Sequence, residues 1–212
     1  MTGSLANSIV SSRLLSRIAR AHGLEHHTTL TGFKWIARAP GLGFGYEEAI
    51  GFCPDPAHVR DKDGIATSVV AASLAAALKA QGRSVWDELE RLARLHGLHV
   101  SSPLTFRVEE IEQIASGMAR LRAQPPSVLA GSPVVEVSDL SQGYRGLPPT
   151  DGVLVLTEAG DRVIARPSGT EPKLKCYLEV ILPVAEGEPL PWGQARERLD
   201  AIKGAFAGII GL

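Results

Sequence analysis

A group of residue types that can bind an anion lies near residue 170. The stretch from 164 to 180 carries arginine, lysine and hydroxyl side chains around one glycine, namely Arg166, Ser168, Gly169, Thr170, Lys173 and Lys175. An arginine fork matches two phosphate oxygens, hydroxyls add donors, and a glycine lets backbone N–H groups turn toward an anion. Pro, Ser, Gly and Thr are also common in ordinary hairpin turns with solvated charges. Considered alone, the stretch predicts either a phosphate site or such a turn.

Two adjacent carboxylates form a second candidate site. Glu47 and Glu48 lie between glycines in GYEEAIG, at the end of a predicted strand. Adjacent strand residues point to opposite faces, so the two carboxylates are not expected to act as an acid–base pair. One of them can accept hydrogen bonds from sugar hydroxyls, as carboxylates do. The alternative is two solvated loop glutamates.

The DKDG segment at 61–64 precedes a predicted helix. Asp61 and Asp63 have the spacing of a short magnesium loop, but a carboxylate immediately before a helix more often caps it, and we favour capping by Asp63. Lys62 then lies at the helix N-terminus, where its charge and the helix dipole both attract an anion. The alternative is a solvated lysine.

Hydrophobic patterning places these candidates on two groups of elements. The first group contains strand patterns at 4–12, 26–30 and 44–52 and helix patterns at 14–23, 65–82 and 85–97. Ser84, with Asp87 and Glu88, is predicted to cap the helix at 85–97, which is expected to pack against the helix before it through a face that carries Trp86, Leu89, Leu92 and Ala93. The second group contains strand patterns at 104–108, 134–137, 153–156, 162–166 and 173–180 and helix patterns at 109–123 and 192–210. The last helix is predicted to cover one side of the sheet with Trp192, Ala195, Leu199, Ile202, Phe206 and Ile209. In the strand at 173–180, Lys173 and Lys175 share one face, and the apolar residues share the other. We therefore predict an α/β domain at 1–103 and an α+β domain at 104–212.

Composition excludes several classes of function. The net charge is −1, with 44% hydrophobic and 21% charged residues, which gives no general attraction to nucleic acid or to an acidic membrane. Cys53 and Cys176 have no metal-ligand spacing, and the six histidines form no metal-binding pattern with acidic residues. No signal sequence and no long apolar run are present. We expect a soluble cytoplasmic protein without nucleic-acid or membrane partners.

Four segments, TGFKWI, GYEEAIGF, HVRDKDG and RPSGTEPKLK, occur in an order and spacing that resemble the α-D-phosphohexomutase family, the phosphoglucomutases and phosphomannomutases. The resemblance extends through essentially the whole chain. It implies that the chain corresponds to the third and fourth of four family domains. The third is an α/β domain, and the fourth is a smaller sheet-and-helix domain related in shape to the TATA-binding protein.

The resemblance also implies roles for particular residues. In the family, the R-x-S-G-T loop binds the substrate phosphate, and the G-E-x-S loop binds sugar hydroxyls. A lysine of the T-G-x-K loop and a second lysine near the catalytic phosphate line the same cleft. These roles carry over to Arg166, Ser168, Gly169, Thr170, Glu47, Lys34 and Lys62. Ala49 replaces the serine of G-E-x-S, and this variant resembles the branch that includes bacterial phosphomannomutase-like proteins and phosphopentomutases. A pentose phosphate is therefore an alternative to a hexose phosphate. Glu48, Lys173 and Lys175 complete the predicted substrate-binding set.

The resemblance implies an isomerase that transfers a phosphoryl group within a sugar phosphate in carbohydrate metabolism. The family's phosphoserine and magnesium loops lie in its first half, so this chain is expected to hold no catalytic residue and no metal. Magnesium and a bisphosphorylated sugar activator are expected only for a full-length member. The expected partners are a hexose phosphate and a separate N-terminal half, without which the chain is expected to be inactive and to self-associate through exposed surface. The alternative is a non-catalytic sugar-phosphate-binding module or a truncated remnant.

Overall fold

The computed structural model of the chain describes residues 3–169 and 171–211. The chain divides into two compact units. Unit 1 contains residues 1–98 and 183–190, and unit 2 contains residues 99–182 and 191–212. The predicted domain boundary after residue 103 remains a prediction.

Unit 1 is built on a four-stranded sheet with the order β2-β1-β3-β4. Its elements are β1 Ser4–Ser8, α1 Leu14–Ala21, β2 His26–Thr29, α2 Phe33–Ile36, β3 Leu42–Glu47, β4 Gly51–Cys53, α3 Gly64–Ala80 and α4 Val85–His96. β1 pairs in parallel with both β2 and β3, and β4 pairs antiparallel with β3. The central strand of the parallel part is therefore β1.

The two faces of this sheet are covered by different helices. Leu5 lines an apolar pocket with Leu15 and Ile18 of α1. Its neighbour Ala6 packs in a buried cluster with Phe33 and Ile36 of α2. Successive strand residues point to opposite faces, so α1 and α2 lie on opposite sides of β1. The four-residue α2 was not predicted, because one turn of helix leaves no periodic pattern to read.

The predicted helix caps are confirmed. The Asp63 carboxylate accepts a hydrogen bond from the backbone N–H of Ala66 at 2.9 Å and begins α3. Ser84 and Asp87 form a reciprocal capping box at the start of α4. Both arrangements satisfy N–H groups that a helix end otherwise leaves without a partner.

The predicted buried face of α4 is wrong for two of its residues. Ala93 is buried as expected, but Trp86 is 76% exposed and Leu89 is 46% exposed. The neighbouring α3 buries only Leu78 of its 17 residues. Apolar spacing predicted a covered face here, but unit 1 contains too few described elements to cover these two helices.

Unit 2 is built on a six-stranded sheet with the order β5-β10-β9-β8-β7-β6. Its elements are β5 Leu98–Arg107, α5 Ile111–Ala123, β6 Val128–Leu129, β7 Ser132–Asp139, β8 Val153–Thr157, β9 Arg162–Pro167, β10 Lys173–Leu182 and α6 Trp192–Ile210. Strands β6 to β10 pair antiparallel in turn. The strand β5 adds to the sheet beside β10.

Helices α5 and α6 pack against the sheet of unit 2 and bury its apolar face. The predicted alternation in β10 is confirmed for its inner side, where all four apolar residues are buried, namely Leu174, Cys176, Leu178 and Val180. In α6 the buried residues include Leu199, Ile202 and Phe206, and the last turn buries Ile210 where the spacing predicted Ile209. An α/β unit followed by a sheet-and-helix unit is the predicted fold class, which is confirmed.

Within the described residues, no single helix is long and apolar enough to cross a membrane. The pair α3 and α4, bent by 90°, passes the same test of length and composition only when its two helices are joined.

Candidate functional site

The first candidate site lies where β1 and β3 end. The chain leaves β1 toward β2 on one side, and β3 pairs on the other side of β1. In open parallel sheets, ligands bind outside the carboxyl ends of the strands at such a topological switch point. We call the residues gathered here the switch-point site, and they are Ser8, Ser11, Glu47, Glu48 and Lys62.

Glu48 is held by the end of β1. Its Oε2 accepts hydrogen bonds from Ser11 Oγ at 2.6 Å and Ser8 Oγ at 3.3 Å, and the two hydroxyls are 2.8 Å apart. Ser8 and Ser11 are buried, whereas Glu48 is exposed. The serines therefore orient a carboxylate that remains accessible to solvent.

Glu47 points to a different partner. Its Oε1 lies 2.5 Å from Lys62 Nζ, and its side chain is buried. The same ammonium is 3.4 Å from the carbonyl oxygen of Ala49. The adjacent glutamates therefore bind separate groups, a hydroxyl pair and an ammonium, as expected for neighbouring residues of a strand.

The backbone beyond Glu47 leaves space for this ion pair. A Cβ at Gly51 would lie 2.5 Å from Glu47 Cγ and 3.1 Å from Lys62 Cε, so only glycine fits. Ile50 has φ of 52°, a left-handed conformation that is uncommon for a β-branched residue, and its side chain is exposed. Strained residues of this kind concentrate at binding and active sites.

Lys34 lies on α2 with its side chain exposed. Its Nζ is 5.9 Å from the centre of the Trp35 ring. The same helix contributes Phe33, whose Cε2 would lie 3.0 Å from a Cβ at Gly51. α2 therefore borders the switch-point site, and the role of Lys34 in binding remains a prediction.

The second candidate site lies in unit 2, at the end of β9 and the start of β10. Arg166 is the direct cross-strand partner of Lys175. Cβ atoms of such pairs lie about 5 Å apart, and like charges placed there repel each other. Among the described residues, no carboxylate oxygen lies within 4.0 Å of a side-chain nitrogen of Arg166 or Lys175, so neither residue forms an ion pair there. The pair is therefore arranged to attract an anion.

The turn that joins these strands contains further cations. The backbone N–H of Ser168 donates to the carbonyl of Lys173 at 2.8 Å, and Lys173 Nζ is 2.5 Å from Glu171 Oε1. The pKa of the Glu171 carboxyl is lowered, first by the hydrogen bond from Lys173 and then by the charges of Lys173, Lys175 and Arg107. Lys173 is thus already engaged by a carboxylate.

Arg107, the last residue of β5, is a cation that the sequence did not predict. Val108 donates its N–H to the carbonyl of Pro172 at 3.2 Å, which brings Arg107 beside the start of β10. The pairing of β5 with β10 joins residues far apart in the chain, so no local pattern indicated it. We call Arg107, Arg166, Lys173 and Lys175 the cationic group.

The described contacts do not test the roles predicted for Gly169 and Thr170. Gly169 is exposed, and an added Cβ would meet no atom within 4 Å. Thr170 lies outside the described residues. Their proposed donation to a phosphate remains a prediction.

The described residues do not fit a magnesium site. No group of three or more His, Cys, Asp or Glu side chains that could hold a metal occurs in residues 3–169 and 171–211. In the DKDG segment, Asp61 accepts the N–H of Lys62 at 2.7 Å and Asp63 caps α3, so each carboxylate already has a local structural role.

A buried charged cluster lies on the polar face of β10. Glu179 lies on the face of β10 opposite its apolar residues, and its side chain is buried. Its Oε1 is 3.2 Å from His99 Nδ1, and its Oε2 is 3.3 Å from Arg162 Nη2. The predicted alternation of β10 is therefore confirmed, and its polar face is buried at this position.

Comparison with protein families identifies both parts of the chain. Residues 1–95 match the model "Phosphoglucomutase/phosphomannomutase, alpha/beta/alpha domain III", and residues 105–188 match "Phosphoglucomutase/phosphomannomutase, C-terminal domain". The chain belongs to the phosphoglucomutase/phosphomannomutase family. The match confirms the resemblance to the phosphohexomutase family that was predicted from the segments TGFKWI, GYEEAIGF, HVRDKDG and RPSGTEPKLK.

Curated relatives within this phosphohexomutase family carry three different descriptions. A probable phosphomannomutase of Haemophilus influenzae is 42% identical over 84% of this chain. A phosphoglucomutase of Staphylococcus aureus is 32% identical over 84% of the chain, and a phosphopentomutase of Mus musculus is 30% identical over 95%. In each case the match covers 36% of the relative, so the chain spans little more than a third of their length.

Solved structures of phosphohexomutases share the fold. The exocytosis-sensitive phosphoprotein pp63/parafusin, a phosphoglucomutase from Paramecium in an open form, matches all of this chain and 39% of its own, with a TM-score of 0.70 and 19% identity. A phosphoglucomutase/phosphomannomutase family protein of Burkholderia thailandensis covers 98% of this chain and 38% of its own, with a TM-score of 0.56 and 16% identity.

Proposed function

We propose that this chain is the substrate-binding C-terminal half of a phosphohexomutase, an isomerase that moves a phosphoryl group between two oxygens of one sugar phosphate. The observation that carries the proposal is the Arg166 and Lys175 pair, two cations placed opposite each other on β9 and β10 beside the Ser168 turn. A folded chain tolerates this repulsion where an anion relieves it.

In the proposal, the cationic group of unit 2 binds the substrate phosphate. Arg166 supplies a bidentate fork, Lys175 supplies charge, and the Ser168, Gly169 and Thr170 loop adds donors. Arg107 contributes further positive charge near the same turn, as its effect on the pKa of Glu171 indicates. Lys173 takes part once the phosphate competes with Glu171 for its ammonium.

The switch-point site of unit 1 recognises sugar hydroxyls. Glu48, oriented by Ser8 and Ser11, offers accessible carboxylate oxygens, and Glu47 accepts from a hydroxyl while it remains paired with Lys62. Lys62 and Lys34 supply positive charge toward a second phosphate position. No residue of this set is assigned the phosphoryl transfer itself, which we attribute to a preceding part of a longer protein or of a partner chain.

The division into domains at 1–103 and 104–212 is part of the proposal. It is supported by the gap between the two matched ranges, which end at 95 and resume at 105. The magnesium and bisphosphorylated sugar of a full-length family member belong to the part of the protein that this chain does not include.

A hexose phosphate is the proposed substrate, and a pentose phosphate is the alternative. Ala49 removes a hydroxyl from the loop that holds Glu47 and Glu48, so the loop makes fewer contacts to a sugar. The relative described as a phosphopentomutase supports the alternative.

The second candidate function is a sugar-phosphate-binding module without catalysis. The exposed Glu48 and Arg166, which forms no ion pair with another described residue, can retain binding even if no donor half exists. The same measurement therefore tests this function. A remnant without function would bind neither class of sugar phosphate.

Titration calorimetry with glucose 1-phosphate, mannose 1-phosphate and ribose 1-phosphate tests the proposal. We expect binding that Arg166→Ala weakens at least about tenfold, the loss of about 1.4 kcal/mol, and that Arg196→Ala, an exposed control on α6, leaves unchanged. Mutase turnover should appear only when a separately made N-terminal half is added. Absence of binding for all three sugars contradicts the proposal, and robust turnover by the chain alone contradicts the need for a donor half.

A further inference from the structure

A cleft between α1 and α4 of unit 1 is lined by basic side chains. Its volume is about 480 Å³, which lies within the range of sites that bind small organic ligands. We call it the α1–α4 cleft, and its walls include Arg17, Arg20, His22, Arg91, Leu95 and His96. Arginines from two different helices therefore line the same space.

The wall formed by α1 carries positive charge without acidic neighbours in the sequence. Residues 1–24 contain Arg13, Arg17 and Arg20 and no aspartate or glutamate, although the whole chain has a net charge of −1. Arg17 and Arg20 are three positions apart, so they are neighbours on one face of the helix and repel each other. Among the described residues, neither Arg17 nor Arg20 has an ion-pair partner. Their charge is therefore available to an anion.

The wall formed by α4 presents an arginine that a carboxylate holds in place. Glu88 accepts hydrogen bonds from Arg91 Nη2 at 2.5 Å, from Arg91 Nε at 2.9 Å and from Arg83 Nη2 at 2.6 Å. The hydrogen bond from Arg91 is the largest cause of the fall in the pKa of the Glu88 carboxyl to about 2. One carboxylate shared by two arginines neutralises only one of them, so this wall also keeps a positive charge.

The ends of the two helices account for only part of this charge. A cation in the last turn of a helix interacts favourably with the helix dipole, and Arg20 and His96 occupy the last turns of α1 and α4. Arg17 lies before the last turn of α1, and its side chain makes no hydrogen bond or ion pair with another residue that the structure describes. The dipoles therefore do not explain why Arg17 lines the cleft.

The cleft also offers planar and apolar surface beside its arginines. His22 is exposed and His96 is half-buried. Imidazole rings and guanidinium planes both stack on aromatic bases. Leu95 is 63% exposed although it lies among these basic residues. A ligand that complements all of these groups carries several phosphate charges and an aromatic ring system.

We propose that the α1–α4 cleft binds a nucleoside polyphosphate. Arg17, Arg20 and Arg91 bind its phosphate groups, because the guanidinium fork matches two phosphate oxygens at once. Its base lies against Leu95 and the two imidazole rings. This binding function is separate from the sugar-phosphate sites and does not depend on them.

The form of the cleft favours a small ligand over a membrane or a strand of nucleic acid. A cleft whose walls carry one sign of charge concentrates compact counter-ions, whereas a planar lipid surface does not enter it. Proteins bind a single strand of nucleic acid by stacking its bases on successive aromatic side chains. The described residues that line this cleft include no Phe, Tyr or Trp.

Titration calorimetry of the 212-residue chain with ATP and with inorganic triphosphate, both without divalent cations, tests the proposal. We expect ATP to bind at least about threefold more tightly than triphosphate, because only ATP carries a base that stacks and contacts Leu95. Leu95→Ser should reduce this preference and leave the affinity for triphosphate unchanged.

The decisive variant is Arg17→Met combined with Arg20→Met. Both side chains are exposed, so the fold is expected to survive, as circular dichroism and thermal unfolding would verify. Because hydrogen bonds to phosphate from both arginines are lost, we expect at least about a tenfold loss of affinity for ATP. The control, Lys79→Met combined with Arg196→Met, removes the same net charge at exposed positions outside the cleft and should bind ATP normally.

Three results would overturn the proposal. The first is absence of ATP binding, whether or not phosphatidylglycerol vesicles bind instead. The second is equal affinity for ATP in the arginine double variant and the unaltered chain; if Arg166→Ala alone then weakened binding, the nucleotide would belong to the cationic group of unit 2. The third is triphosphate binding as tight as that of ATP, which would assign the cleft to an inorganic polyanion. Calorimetry with sugar phosphates measures the proposed function separately, so failure of one proposal is distinguishable from failure of the other.

Discussion

The Glu47 carboxylate and the Lys62 ammonium form a 2.5 Å ion pair in which only one partner is buried. The Glu47 side chain is 9% exposed and the Lys62 side chain 41%. An ammonium has three donors, so Lys62 can neutralise Glu47 and still present a donor to an anion that approaches from solvent. In the proposed function, the pair links the recognition of hydroxyls at Glu47 to the recognition of charge at Lys62.

Replacing Lys62 should destabilise the chain. Lys62→Met removes the partner of a buried carboxylate, and we expect a loss of about 1 to 2 kcal/mol in the free energy of unfolding, below the cost in a fully buried pair because Lys62 is partly solvated. Urea unfolding followed by circular dichroism measures it. Lys79→Met, at an exposed lysine near the end of α3, is the control and should change little. Equal effects of the two variants would contradict a structural role for the pair.

Replacing Arg166 should change stability and binding in opposite directions. Arg166→Met removes a cation opposite Lys175, so the ligand-free chain should gain up to about 1 kcal/mol, while affinity for a sugar phosphate or inorganic phosphate falls. Thermal unfolding with and without phosphate measures both effects. In Lys203→Met, which removes a cation paired with Asp200 on α6, neither trend is expected. A variant that lost stability and kept its phosphate affinity would argue against an anion site.

Removing the charge of the buried Glu179 carboxylate should lower the free energy of unfolding. Glu179→Gln removes the negative charge between His99 and the buried Arg162, and we expect a loss of about 3 kcal/mol. Denaturant titration is the measurement, and Glu197→Gln on the exposed side of α6 is the control. A loss below about 0.5 kcal/mol, the range of ordinary surface changes, would mean that the cluster contributes no net stability.

The two cysteines should react slowly while the chain is folded. Burial raises the pKa of the Cys176 thiol to about 12, and burial together with Asp63, Asp55 and Asp61 raises that of Cys53. Because thiolate is the reactive form, a disulfide reagent at about pH 8 should label neither thiol until urea unfolds the chain.

The same shift of Cys176 gives stability a defined dependence on pH. The folded pKa lies above the unfolded one, so the unfolded chain releases its proton first. The contribution is complete below the unfolded pKa, about 8.5, and is lost as pH rises toward about 12. Cys176→Ala should reduce this alkaline loss, and an unchanged alkaline unfolding profile would count against the shift.

Local signals in the sequence were sufficient for most helices and strands. The cap at Asp63 begins α3, and the capping box of Ser84 and Asp87 begins α4. Each cap joins residues within four positions of each other, so the local sequence indicates it. The alternation of apolar residues in β10 likewise indicated which face of this strand packs against the helices. The register that places Arg166 opposite Lys175 follows from the short turn between β9 and β10. The concentration of positive charge at this end of the two strands was therefore predictable.

Contacts between distant segments were not predictable. Ser11 donates a hydrogen bond to Glu48, 37 residues further along the chain, and Arg107 lies near the turn between β9 and β10 only because β5 pairs with β10. Glu179 looks like an outward residue in its own strand, and its burial depends on His99 from another strand. The prediction for Trp86 was wrong in the opposite direction, because this side chain is exposed. Periodicity identifies the apolar face of a helix but does not indicate whether a neighbouring element covers that face.

The segment 183–190 bears on how the two units could be inherited. It clusters with unit 1, where Arg94 donates to the carbonyls of Ala185 and Glu188, although it lies between two parts of unit 2 in the chain. A gene broken after residue 98 would leave unit 1 without this segment and would give unit 2 a loop that belongs elsewhere. Recombination is therefore expected to move the two units together, so that they form a single unit of inheritance.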